Sequence, residues 1–278
     1  MYICKKINVM KKVYIFWTVA IVITIAAAIY QRTTGPTYPK KVKTVLNNNT
    51  YTLKLLRSWG GNEDCEIKFD IDDPNVRGKV FYKRYKTNDD WTAVEMQREG
   101  DELVAKLPWQ PPAGKLMYYV ELSTGNETNE ILKNNPNVIR FKGAVPTYIL
   151  APHIFFMFFA MLLSNLSGIM ALFGYKKYKF WGIMAFIFLI IGGLILGPLV
   201  QKYAFGELWT GVPFGWDLTD NKTLIAFLAW LGAIVYNFKT GKKWPFVLAA
   251  VIVFLIFLIP HSMFGSELDY STNVVKQG

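Results

Sequence analysis

At 278 residues, 52% apolar and with a mean hydropathy of +0.22, the chain is too apolar for an ordinary soluble protein, and its apolar residues fall in blocks. The formal charge of +11 invites a nucleic-acid partner, but its distribution excludes one. Ten lysines lie in three short segments that contain no Asp or Glu, and removing them leaves 21 basic residues against 20 acidic ones.

Five blocks are apolar enough to be read as transmembrane helices, which need about 20 mostly apolar residues. They are Val13–Tyr30, Ile149–Phe173, Phe180–Val200, Leu224–Tyr236 and Trp244–Pro260, the fourth being the shortest. The lysine segments (Lys5, Lys6, Lys11 and Lys12; Lys176, Lys177 and Lys179; Lys239, Lys242 and Lys243) fall at alternate ends of these blocks. One orientation therefore gathers all three on the cytoplasmic side, where short loops are rich in Lys and Arg. The N-terminus is then inside and the C-terminus outside. Residues 1–30 form a basic cytoplasmic start and the first helix. Its aromatics Tyr14, Trp17 and Tyr30 stand at interface positions, which favours a retained anchor over a cleaved signal. Cys4 and Cys65 fall on opposite sides, so they make no disulfide framework.

Residues 31–49 read as a linker and 50–145 as one extracytoplasmic domain. Seven short runs there have strand character: Tyr51–Leu56, Glu66–Ile71, Lys79–Tyr85, Trp91–Met96, Leu103–Leu107, Leu116–Leu122 and Val138–Phe141. Turn chemistry such as Asp72-Asp73-Pro74-Asn75 and Glu99-Gly100-Asp101 separates them. Seven strands in a domain of this length is the pattern of a β-sandwich. Trp59, Trp91 and Trp109 are read as core or hinge residues ahead of a sugar-stacking platform.

Residues 146–261 form a four-helix transmembrane domain with an outer loop, 201–223, and 262–278 an extracytoplasmic tail. Small residues (Ser164, Ser167, Gly168 and Ala171; Gly192, Gly193 and Gly197) let helices approach closely in lipid. The outer loop mixes glycines with Phe205, Trp209, Phe214 and Trp216, and an interface-lying or re-entrant course is expected. Thr219 or Asp220 is expected to N-cap the next helix.

Both histidines fall at the outer membrane face, His153 after Pro152 and His261 after Pro260. Two histidines from antiparallel helices can ligate one haem b or a divalent metal. Glu207, Asp217, Asp220 and Glu267 are the carboxylates that topology brings to the same side as candidate metal ligands. Trp209, Trp216 and Lys222 are the outer-loop residues expected around such a site. Zinc spacing, phosphate loops and a nucleophile elbow are all absent from the sequence.

The run from Trp91 and Met96 through Gly100-Asp101, Leu107-Pro108 and Gln110-Pro111-Pro112-Ala113-Gly114 to Tyr118-Tyr119-Val120 resembles bacterial extracytoplasmic immunoglobulin-like and fibronectin type III-like modules. The resemblance covers residues 91–120 and implies a fold, not an activity. Together these observations give a five-helix membrane bundle with an inserted all-β immunoglobulin- or fibronectin-like sandwich. It would sit in a bacterial inner membrane, contact the lipid bilayer and another envelope protein, and catalyse nothing. The alternative is a redox or cofactor protein using His153 and His261.

Overall fold

The computed structural model describes the chain except Met1, Asn126, Ser262, Phe264, Gln277 and Gly278, with residues 2–10 described by backbone alone, so the side chains of Cys4, Lys5 and Lys6 lie outside the described residues. It divides into two compact units. Met1–Gly35, Val145–Tyr203 and Glu207–Gly265 make a helical unit, and Pro36–Ala144, Ala204–Gly206 and Ser266–Gly278 make a β unit.

The helical unit holds α1 (Tyr2–Thr34), α2 (Thr147–Leu172), α3 (Tyr178–Phe205), α4 (Leu218–Thr240) and α5 (Trp244–Leu258). The first four carry stretches long and apolar enough to cross a membrane; α5 has only 15 residues. The fourth segment is thus longer than its apolar stretch suggests and the fifth shorter. Asp217, not Thr219 or Asp220, caps α4, its carboxylate accepting from the N–H groups of Thr219 (2.8 Å) and Asp220 (3.2 Å). That cap takes the polar run Thr219–Thr223 into the first turns of the helix. At the C-terminal end of α5, Ile259 is extended because the following proline disfavours helical geometry before it.

Small residues set the helix contacts. A Cβ on Gly168 would stand 2.4 Å from Cβ of Ala250, one on Gly182 2.4 Å from Phe246, and one on Gly193 2.7 Å from Thr223. Buried polar side chains tie the helices as well. Asn165 donates to Thr24 (3.0 Å), Trp230 to Ser164 (3.3 Å) and Asn237 to the Tyr178 hydroxyl (2.9 Å). Residues 190–196 of α3 take π-helical geometry around Gly192 and Gly193.

In the β unit all seven expected runs are strands. They are β2 (Asn49–Leu55), β4 (Cys65–Asp70), β5 (Arg77–Arg84), β6 (Thr92–Glu95), β8 (Glu102–Leu107), β9 (Lys115–Thr124) and β11 (Asn137–Lys142). Added to them are β1 (Lys40–Leu46), β3 (Ser58–Gly60), β7 (Gln97–Glu99) and β10 (Glu127–Ile131). One sheet runs β3-β11-β9-β5-β6 with β10 beside β9, a second runs β4-β8-β7, and β1 pairs β2. Ile67, Phe69, Leu103 and Leu107 from the second sheet share one core with Val80, Leu116, Tyr118, Val120, Ile139 and Phe141 from the first.

Two stretches differ from expectation. The segment 31–49 is not all linker, since β1 occupies Lys40–Leu46 and turns into β2 through Asn47 and Asn48, both at positive φ (48° and 59°). Asn tolerates that region better than most residues, which makes it a hairpin residue. The tail is not free chain either: β12 (Glu267–Asp269) and β13 (Val274–Lys276) form a hairpin belonging to the β unit.

Gly168 and Gly232 provide an internal comparison, because a Cβ at Gly232 meets nothing within 4 Å. Gly168→Ala should lower the thermal midpoint of the detergent-purified protein, at a cost of about 1–3 kcal/mol from overpacking. Gly232→Ala should leave it unchanged or raise it, since alanine is the better helix former. Circular dichroism melts of both variants check the pair.

Candidate functional site

Every polar residue singled out near the histidines has an assigned place, and most of the interactions are with backbone. His153 sits in the second turn of α2, half-buried, with Nδ1 2.9 Å from the carbonyl oxygen of Gly192. A carbonyl can only accept, so Nδ1 carries the proton and Nε2 keeps its lone pair in the neutral ring. The same Gly192 oxygen also accepts the N–H of Gly197, five residues on, in the π register. His261 follows the end of α5 and is exposed.

Lys222 is buried in α4, 5% exposed, and its ammonium donates to the carbonyl of Ile259 at 2.8 Å. Gln31 of α1 donates to the carbonyls of Phe257 (2.6 Å) and Ile259 (3.3 Å). The last carbonyls of a helix have no partner within it, and a cation there also meets the negative end of the helix dipole. Lys222 and Gln31 therefore cap α5 from two other helices.

The carboxylates are used in the same way. Asp217 caps α4, and Asp220 accepts from the N–H groups of Thr210 (2.6 Å) and Gly211 (3.1 Å). Asn221 accepts from the N–H of Val212 (2.8 Å), Gln201 donates to the Thr210 hydroxyl (2.7 Å), and Trp209 donates to the Val212 carbonyl (3.2 Å). Only glycine fits at 211, where a Cβ would stand 2.7 Å from that of Asp220. Glu207 is exposed, as is Trp216, while Glu267 belongs to the β unit. Among the described residues, no three His, Cys, Asp or Glu side chains converge where a metal could be held.

A second cluster, which sequence reasoning did not find, lies within the β unit where the C-terminal hairpin meets the turn after β5. Glu267 is clamped between Lys115 (2.7 Å) and Lys86 (3.1 Å). The Tyr270 hydroxyl receives the N–H of Lys115 (3.0 Å) and lies 2.9 Å from the Lys115 carbonyl and 3.0 Å from Oε1 of Gln110. Gly114 leaves room for that hydroxyl, which a Cβ there would approach to 3.1 Å. Arg84 pairs with Asp89 at 2.6 Å and stacks its guanidinium over the Tyr270 ring. Between hairpin and turn is a cleft of about 610 Å³, bordered by Arg84–Asp89 and Glu267–Ser271 and by Lys276. Small-molecule sites span about 300–1,000 Å³. The only sign of this cluster in the sequence is the weak alternation of Glu267–Tyr270 and Val274–Lys276, too short to separate from an irregular tail.

Burial raises the Glu267 pKa, and the hydrogen bonds from Lys115 and Lys86 more than offset it, leaving the carboxyl below its ordinary range. Burial pushes the Tyr270 hydroxyl up to about 12, so it stays protonated and can donate. Burial likewise raises the free Cys65 thiol to about 12.

No protein-family model, curated protein or solved structure matches this chain, so the site is read from its own chemistry.

A carboxyl held below its unfolded pKa adds stability above that value, and the stability is lost as pH falls through the folded one. The unfolded value for Glu is about 4.3. The protection of residues 266–276 against hydrogen exchange, corrected for the intrinsic pH dependence of amide exchange, should therefore be high at pH 6 and fall progressively below about pH 4. Glu267→Gln should already exchange faster at pH 6, by about 1–3 kcal/mol of lost protection, and should flatten the pH dependence.

Proposed function

We propose that this is a bacterial envelope protein that crosses the cytoplasmic membrane five times and holds an immunoglobulin-like domain outside it, where that domain binds or assembles with another envelope protein. The observation that carries the topology is the make-up of the β unit. It combines residues following α1, residues ending α3 and the hairpin following α5. Segments of one folded unit lie on one side of a membrane, so the chain between them crosses an even number of times. Helices α2 and α3 account for one pair of crossings. The next pair is α4 and α5, which makes α5 a crossing helix in spite of its 15 residues.

Two further features support the reading. The ends of the helices away from these segments carry the lysine clusters of the 176–179 and 239–243 turns, as the cytoplasmic side would. Aromatic side chains also stand near both ends, Tyr30, Tyr148 and Tyr203 at one and Phe180, Tyr236 and Trp244 at the other.

The immunoglobulin-like assignment draws support from strand order. With β4, β5, β8, β9 and β11 as strands B, C, E, F and G, E lies beside B and F lies between C and G, the arrangement of that fold. The binding assignment rests on the cleft between Arg84–Asp89 and the C-terminal hairpin. It has both signs of charge and two tyrosines, which suits a polar peptide segment better than an apolar ligand.

A second reading has one observation in its favour. A metal- or haem-bound histidine commonly donates its other ring N–H to a carbonyl, and His153 donates in this way to Gly192. Should it hold, the detergent-purified protein will show a Soret band, or a stoichiometric metal by elemental analysis, that His153→Ala abolishes; a featureless spectrum without stoichiometric metal ends it.

Topology is testable by labelling whole cells with a membrane-impermeant maleimide in a Cys4→Ser background, where Cys65 stays inert because it is buried and its thiol is protonated. Cysteines at Asn88 and Ser271 should both label, and one at Lys177 should not. Labelling at 88 with protection at 271 would remove the fifth crossing. The interaction is tested by photo-crosslinking from position 88 in cells, where a discrete adduct lost on Tyr270→Ala is expected.

A further inference from the structure

The loop between α3 and α4 combines two properties seldom found together in a water-exposed loop. From Leu208 to Trp216 it contains no charged residue, and it presents Phe214 and Trp216 at 82% and 78% exposure. Leu208 and Val212 are exposed beside them. These are large apolar surfaces, and exposed apolar patches of this kind mark contact with a membrane or a partner.

The second property is that most of its backbone N–H groups already have partners within the protein. The N–H groups of Thr210 and Gly211 go to Asp220 and that of Val212 to Asn221. Those of Phe214 and Gly215 go to the Gly211 carbonyl, that of Asp217 goes to the Thr210 carbonyl, and Pro213 has none to give. A loop bathed in water has no need of such partners, because water supplies them. A loop that leaves water does need them, since each unpaired backbone group in an apolar medium costs several kcal/mol. Asp220 and Asn221, fixed in the first turn of α4, therefore hold the loop ready for an environment poor in water.

Its place in the chain identifies that environment. The loop joins the end of one membrane-length helix to the start of another, so its aromatic tip lies at the depth where those helices leave the hydrocarbon. Tyr203 near the end of α3 and Tyr148 at the start of α2 are likewise exposed. Trp, Tyr and Phe concentrate at that level because their rings are apolar and, for Trp and Tyr, one edge is polar.

We infer that residues 208–216 form an interfacial anchor whose Phe214 and Trp216 seat in the lipid headgroup layer. This rests on the membrane reading above and adds a lipid contact to it outside the helices. Spin labels on single cysteines test it in the full-length Cys4→Ser protein, reconstituted in vesicles of phosphatidylethanolamine and phosphatidylglycerol. The labels go at Phe214 or Trp216 in the loop, at Ile225 on the exposed face of α4, and at Asn88 in the β unit. The readout is the ratio of collisions with lipid-soluble oxygen to those with a water-soluble nickel chelate.

At 214 and 216 the ratio should be several-fold above that at 88 and below that at 225. A ratio at 214 and 216 equal to that at 88, with 225 reading hydrocarbon, overturns the anchor and leaves the membrane reading intact. Loss of both collisions at 214 and 216 means that protein covers the tip, which also overturns it. A water-like ratio at 225 as well overturns the membrane reading on which the anchor depends.

Discussion

The carbonyl groups at the end of α5 set the terms for the rest of the helical unit. A 15-residue helix rises about 22 Å at 1.5 Å per residue, short of the roughly 30 Å of a bilayer's hydrocarbon. Its last carbonyls, and that of the extended Ile259 before Pro260, have no donors within the helix itself. Gln31 and Lys222 supply those donors from α1 and α4. The requirement accounts for a lysine that is 5% exposed in the helical unit. It also explains why the first turns of α4 are polar: Asp217 caps the helix, Asp220 and Asn221 hold the loop, and Lys222 closes the end of α5. One turn and a half of helix thus serves three neighbours.

The β unit depends on a comparable closure. Glu267 and Tyr270 fasten the C-terminal hairpin to Lys86, Lys115 and Gln110. These contacts join the two ends of the chain's path: the hairpin follows the last helix, whereas Lys86 and Lys115 lie in the domain inserted after the first. Removing one partner of a buried ion pair leaves an uncompensated charge, and Glu267 is compensated from both sides, by Lys115 and Lys86. The closure ties the segment that follows the last helix to the domain that follows the first.

Much of this was legible in the sequence, for identifiable reasons. The seven strands were visible because one face of each is apolar, as in Ile67, Phe69 and Ile71 against Lys68 and Asp70. β1 escaped because Lys40, Lys41 and Lys43 crowd a strand that buries only Leu46 fully. The start of α4 was placed late because hydropathy discounts Thr219–Thr223, whose side chains satisfy backbone groups that no window average registers. Glu267 belongs to the β unit rather than to the histidine end, but His153, Asp217, Asp220 and Lys222 were legible as polar residues near one end of the helices. Their partners were not, because hydrogen bonds to Gly192, Ile259, Thr210 and Gly211 are made with backbone, which leaves no mark on composition.

The π segment shows how such a bond can be built into a helix. In the α register each carbonyl is directed at the N–H four residues on, within a closely wound turn. Between Ile190 and Leu196 the turn is widened, and the Gly192 oxygen accepts from Gly197 five residues on. Glycine at 192 and 193 leaves no side chain in the way, and α2 approaches until a Cβ at 192 would stand 2.9 Å from that of Phe156. The second lone pair of the oxygen is then open to the ring of His153. π segments recur at functional sites, but here packing and hydrogen bonding already account for the geometry. What the bond adds chemically is a fixed tautomer: with Nδ1 donating, Nε2 is the one ring atom able to accept a proton or bind a ligand. Any chemistry at His153 must therefore pass through Nε2.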